Sequence, residues 1–161
     1  MGYKNLEKLI EIIEVLRSPQ GCPWDREQTH KTLRPNMLEE AYEAVDAMDS
    51  GDLKHLREEL GDVLLQVVLH AQIAKDEGAF DIEDVAQTLN EKLIHRHPHV
   101  FGHAHVDSAN EVIVNWDKLK QEEKPHRKSA MDGISKSQSA LMSAQKISKR
   151  AVKTGFEWEC E

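Results

Sequence analysis

The chain has 161 residues, 29 of them acidic against 21 basic, for a net charge of -8; this length suits one domain, or a domain with an extension, and can bury a sizeable core. The negative balance opposes non-specific attachment to a nucleic-acid backbone, so no nucleic-acid polymer is expected as a partner. Two distant cysteines, Cys22 and Cys160, lack CxxC or zinc-type spacing, and no stretch has signal-peptide or membrane-span length, which argues against a disulfide framework and a membrane and for the cytoplasm.

Helical periodicity dominates, and no strand-like alternation of β-branched or aromatic residues occurs. A first helix is expected from Leu6 to Arg17, with Leu6, Leu9, Ile10, Ile13 and Leu16 on one side, ended by Ser18-Pro19-Gln20-Gly21. Cys22-Pro23-Trp24-Asp25 reads as a structured loop with Trp24 in the core. A second helix covers Pro35 to Met48 and a third Asp52 to Asp76, and the short Asp49-Ser50-Gly51 connection makes them antiparallel neighbours. Asp81-Ile82-Glu83-Asp84 opens a fourth helix, whose Ile82, Val85, Ala86, Leu89 and Leu93 should close a bundle. After Arg96 come a loop through His103, a short helix over Asn110 to Trp116, and a charged stretch from Gln121 to Gly133. A last helical pattern, with Ile134, Leu141, Ala144, Ile147 and Ala151, is expected to dock on another element or another chain. The fold class is all-α, an antiparallel bundle of four to five helices with a C-terminal helical extension.

Two carboxylate clusters stand out within this frame, Glu39-Glu40-x-x-Glu43 on the second helix and Glu59-x-x-Asp62 on the third. Spacings of three and four place each set on one helical face, and neighbouring helices would join them into an all-oxygen cage suited to Mg²⁺ or Mn²⁺. Solvated acidic faces of two amphipathic helices fit the same spacing. On the second helix the acids lie opposite Met37, Leu38, Ala41, Tyr42, Val45 and Met48. Asp62, however, heads a run from Val63 to Ala71 that is apolar on nearly every side, and a partly covered acid calls for a partner or a metal. So apolar a helix also has surface left for a second copy, with Leu65 and Leu69 pointing away from its main stripe, and a homodimer or larger assembly is expected.

Lys92 and Arg96, four apart on the fourth helix, could face one polyphosphate or form an ordinary basic helix end. Trp116 could stack on a base or serve as core. His95, His97, His99, His103 and His105 alternate around a proline without zinc-site spacing, and no nucleophile elbow or glycine-rich phosphate loop is present.

Four motifs in order, Cys-Pro-Trp-Asp-x-x-Gln-Thr-His at 22 to 30, Glu39-Glu40-Ala41-Tyr42-Glu43, Glu58-Glu59-Leu60-Gly61-Asp62, and Arg96-His97-Pro98-His99-Val100-Phe101-Gly102, resemble the MazG nucleoside triphosphate pyrophosphohydrolases over residues 5 to about 120. The resemblance implies a dimerising helical bundle that binds Mg²⁺ and cleaves nucleoside triphosphates to monophosphate and pyrophosphate. It further implies Glu40, Glu43, Glu59 and Asp62 as metal ligands, and Lys92, Arg96 and Trp116 as nucleotide contacts. Glu39 is then a spare carboxylate, a base for the attacking water, a ligand to a second ion, or a solvated neighbour. The expected organisation is a MazG-like domain over 1–122, a linker over 123–133 and a C-terminal helix over 134–161, whose segment from Lys149 to Trp158 looks like the lead into a second, similar half. A metal-nucleotide binding module without turnover and a purely structural bundle are the competing functions. Phosphoribosyl-ATP pyrophosphohydrolase shares the carboxylates but not the 22–30 and 96–102 segments.

Overall fold

The computed structural model describes residues 2–123 and 129–156, and every regular element among them is helical: α1 (Lys4–Arg17), α2 (Pro23–Glu27), α3 (Arg34–Ser50), α4 (Leu53–Asp76), α5 (Ile82–Arg96), α6 (Pro98–Phe101), α7 (Ala109–Glu122) and α8 (Ala140–Lys153). The linker residues 124–128, Cys160 and Trp158 lie outside the described residues. No described helix is long and apolar enough to cross a membrane. The chain divides into two units, Met1–Asn90 and Glu91–Glu161.

In the first unit, the α3–α4 hairpin follows from a left-handed glycine and an aspartate cap. Gly51, at φ 72°, ends α3 and donates its N–H to the Met48 carbonyl. Asp52 then accepts from the backbone N–H groups of Lys54 (2.8 Å) and His55 (3.2 Å), which satisfies two free donors of α4 and lowers the Asp52 pKa. The two helices pack along their length, and the residues α3 buries are the small Ala44 and Ala47.

The core lies between α1 and α4. Ile13, Leu33, Val68, Leu69 and Ile73 are buried together, flanked by Leu9, Ile10, Leu16, Leu65 and Ile82; full burial of each large aliphatic side chain is worth roughly 1.5–3 kcal/mol. Arg17 ties the elements at one end. Its Nε donates to Asp76 at 2.7 Å on α4, and its Nη1 donates to the carbonyls of Asp25 and Gln28 around α2. Gly21 is required in the turn before α2, because a Cβ there would lie 2.2 Å from the Leu16 carbonyl oxygen.

Several local expectations change. The segment after Gly21 is a short helix rather than a loop, and Trp24 is 57% exposed instead of being in the core. The second short helix, α6, replaces part of the loop after Arg96, and α7 extends well beyond Trp116. Leu69 is 3% exposed within the chain's own core, with Leu65 packed against that core, so neither points toward a second copy. On α3 the apolar face is not the packed one: Leu38, Tyr42, Val45 and Met48 are exposed, whereas the face bearing Glu40, Ala44 and Ala47 is covered. The wheel separates the two faces of α3 correctly, but small residues let α4 approach on the acidic side. Helix α5 contributes Ile82 to the core, and its Leu89 and Leu93 stay exposed instead of closing the bundle.

In the second unit, Arg96 and Glu123 form a two-pronged ion pair, with Nε donating to Oε1 at 3.0 Å and Nη2 to Oε2. Arg150 of α8 donates from Nη1 to the carbonyls of Ala130 and Asp132, both at 2.7 Å. Leu141, Ile147 and Val152 of α8 remain exposed, and Ile134 lies before the helix.

Candidate functional site

Antiparallel packing of α3 on α4 turns two linear motifs into one site. Glu40 and Glu43 from α3 and Glu59 from α4 each offer a carboxylate oxygen, and the three oxygens lie within 4.8 Å of one another. Glu40 and Glu59 are partly covered, and Glu43 is exposed. The Glu40 pKa is raised, first by burial and then by the charges of Asp62, Glu43, Glu39 and Glu59 in that order. Asp62 is thus close enough for its charge to act on Glu40, although it is not among the three converging oxygens. Crowded like charges, with one imidazole paired to them among the described residues, make a poor structural cluster and a good seat for a hard divalent cation, which favours an all-oxygen donor set of this kind. That imidazole belongs to His55, whose Nε2 lies 3.0 Å from Glu59 Oε1.

Residues 28–101 match the MazG nucleotide pyrophosphohydrolase domain. The structure is similar to the crystal structure of a mazG-related protein from Thermotoga maritima, with a TM-score of 0.60 and 35% identity over 71% of this chain and 98% of that one. This chain belongs to the MazG family. It is also similar to the nucleoside triphosphate pyrophosphohydrolase/pyrophosphatase MazG of Thermotoga maritima, 51% identical over 154 residues. The nucleoside triphosphate pyrophosphohydrolase of Escherichia coli K12 is 46% identical over 156 residues. Each comparison covers 95% of this chain but 59% of the relative, so the chain spans about three fifths of the length of these two relatives.

The five carboxylates that the sequence singled out, Glu39, Glu40, Glu43, Glu59 and Asp62, all belong to the first unit. Glu39 is exposed at the edge of the cluster, where its charge acts on Glu40 more weakly than that of Asp62 or Glu43. Lys92, Arg96 and Trp116 belong to the second unit. There Lys92 is exposed and Arg96 is held by Glu123. The Trp116 ring is tilted by 50° against His97, with centroids 5.6 Å apart, and the Lys120 ammonium lies 4.7 Å from its centroid.

Three features of the first unit escaped the sequence reading. His55 shares its helical face with Glu59, four residues on, and that i,i+4 spacing was the available signal. Gln66 is 4% exposed, and its Oε1 has no hydrogen-bond partner among the described residues; its place one turn beyond Asp62 was visible, but its burial was not. His30 and His70 pair across 40 residues, which no local pattern announces.

Proposed function

We propose that this chain hydrolyses nucleoside triphosphates between the α and β phosphates, releasing nucleoside monophosphate and pyrophosphate, with Mg²⁺ or Mn²⁺ held by Glu40, Glu43, Glu59 and Asp62. The observation that carries this is the convergence of three carboxylate oxygens within 4.8 Å on a MazG hairpin, beside a fourth acid that pushes up the Glu40 pKa. The names of the relatives from Thermotoga maritima and Escherichia coli support the substrate class.

The metal would supply charge neutralisation between acidic protein and acidic substrate, and Lewis-acid polarisation of the phosphate. The remaining chemistry falls to the chain's own residues. Glu39, an exposed carboxylate outside the three converging oxygens, accepts a proton from the attacking water, or else holds a second ion. As the water oxygen bonds to the α-phosphorus, the bridging P–O bond breaks and pyrophosphate leaves. Lys92 and Arg96 offset the negative charge of the phosphate oxygens, and Glu123 fixes the plane of the Arg96 guanidinium beforehand. Trp116 offers a ring for base stacking, which does not discriminate between bases.

The working unit in this proposal is a homodimer or larger homo-oligomer. Leu38, Tyr42, Val45 and Met48 of α3 and Leu60 and Leu64 of α4 are exposed large apolar side chains. Gly61 lies among the latter in mid-helix with nothing within 4 Å of its added Cβ, so this chain alone gives no reason for a glycine there, while a close-packed second copy would. A free, partly exposed Cys22 suits a reducing cytoplasm, and the net charge of -8 disfavours a nucleic-acid partner. The proposed organisation remains a MazG domain over 1–122, a linker over 123–133 and a C-terminal helical part over 134–161, with nucleotide-pool housekeeping as the role.

Incubation with a panel of nucleoside triphosphates and Mg²⁺, with products separated chromatographically, tests the activity. Monophosphate and pyrophosphate are expected. Diphosphate with orthophosphate would overturn the bond assignment, and binding without consumption would leave a metal-nucleotide binding module.

A further inference from the structure

Resting on the pyrophosphohydrolase reading and deepening it, we propose that Gln66 is a specificity-determining residue whose side-chain carbonyl accepts a hydrogen bond from the 3′-hydroxyl of the substrate sugar. Gln66 is 4% exposed, and its Oε1 is fully buried without a donor among the described residues. A buried acceptor with no partner carries an uncompensated desolvation cost, and native proteins rarely leave one without a use. The oxygen is uncharged and can only accept, so it does not suit ionised phosphate, which also only accepts. It requires a hydroxyl or an N–H.

Position selects between these. Glu59, Asp62 and Gln66 follow one another at spacings of three and four within the unbroken α4, so they share a face. Gln66 lies one turn from Asp62, about 6 Å along the axis at 1.5 Å per residue. With the α-phosphate at the carboxylate cluster, the next donor along a nucleotide is a sugar hydroxyl, and the 3′ oxygen is separated from the α-phosphorus by fewer bonds than the 2′ oxygen. One turn further, His70 pairs through its Nδ1 with His30 at 2.8 Å, and Gln66 Oε1 has no partner among the described residues. The three rotatable bonds of a glutamine side chain let the oxygen meet a ligand without any backbone change. A 3′-hydroxyl is common to ribonucleotides and deoxyribonucleotides, so Gln66 would admit both and reject sugars lacking that group.

The test compares wild type with Gln66→Met, which keeps length and loses the acceptor, on 2′-deoxy and 2′,3′-dideoxy nucleoside triphosphates of the adenine and thymine series. Pyrophosphate release gives kcat/KM, and calorimetry with the non-hydrolysable α,β-methylene forms of the same nucleotides gives affinity. Wild type should favour the 3′-hydroxyl by about tenfold in both readouts. In Gln66→Met the two sugars should fall within about twofold of each other, through loss on the hydroxylated substrate and with the dideoxy substrate unchanged. Gln66→Leu should behave alike, which separates the lost acceptor from altered packing. A wild type indifferent to the 3′-hydroxyl overturns the proposal without any variant, as does discrimination that survives in Gln66→Met or an equal loss on both sugars. If the analogues bind but no triphosphate is hydrolysed, the enzymatic reading fails, while the sugar dependence of affinity still decides the role of Gln66; absence of binding overturns both.

Discussion

His30 and His70, one before α3 and one in α4, face each other with Nδ1 atoms 2.8 Å apart and rings stacked at 5.1 Å and 10°. One ring must donate and the other accept, so the arrangement requires at least one neutral imidazole. The His70 pKa is lowered, first by burial and then by the charge of His30. The folded state therefore binds this proton less readily than the unfolded chain, and the associated stability is present above the ordinary histidine value of 6.5 and lost as pH falls from there through the folded-state value. Melting temperature should drop on the order of a few degrees between pH 7.5 and pH 5.5. His70→Gln should flatten that slope, whatever its effect on absolute stability; an unchanged slope would show that the pair does not couple folding to pH.

Glu40 should show the opposite dependence. Its pKa is raised above 4.5, with burial as the first cause and Asp62 as the leading charge. The folded state binds that proton more tightly than the unfolded chain, so stability is greatest below 4.5 and is lost as pH rises through the folded-state value. Metal-free Glu40→Gln should consequently melt higher than wild type at pH 7.5, by a few degrees, with the advantage shrinking toward pH 4. Thermal denaturation in chelator across that range checks the sign.

Glu43→Gln and Asp62→Asn should each reduce turnover by about 100-fold or more while leaving the metal-free fold intact or more stable, because one repelling charge is gone from the cluster. Millimolar Mg²⁺ or Mn²⁺ should raise the melting temperature of wild type and have little effect on Glu43→Gln. Retention of most activity in either variant at saturating Mg²⁺ would remove it from the ligand set.

Charge substitutions should separate the interface from the core. Tyr42→Asp or Val45→Asp, on the exposed apolar side of α3, should weaken self-association and lower activity without unfolding the chain. Leu69→Asp should instead destabilise the fold by several kcal/mol, since Leu69 belongs to the chain's own core. Light scattering, circular dichroism and pyrophosphate release on the same samples distinguish these outcomes. A fully active monomer at micromolar concentration would disprove the oligomeric proposal.

Gly61→Ala discriminates further. In an isolated chain an alanine at this open mid-helix position should stabilise α4 by about 1 kcal/mol. If a second copy packs its backbone there, the same methyl group should weaken association and reduce activity. Sedimentation at several protein concentrations, alongside a melting curve, separates the two effects.

The amino-acid order by itself determined the helices and the acids they carry. Apolar spacing near 3.6 residues marks α1 and α4, Gly51 and Asp52 mark the hairpin between α3 and α4, and the offsets within Glu39-Glu40-x-x-Glu43 and Glu59-x-x-Asp62 place each set on one face. These are properties of a single element or of a tight turn, where chain geometry leaves few choices. Tertiary packing decided the rest. A helical wheel shows that α3 has an acidic and an apolar side but cannot show which meets α4, and Ala44 and Ala47 settle that by allowing close approach beside Glu40. Leu69 enters the intrachain core because α1 supplies Ile13 and its neighbours opposite it. The isolation of Gln66 Oε1 and the pairing of His30 with His70 likewise depend on which side chains long-range folding brings alongside, a relation that local periodicity does not encode.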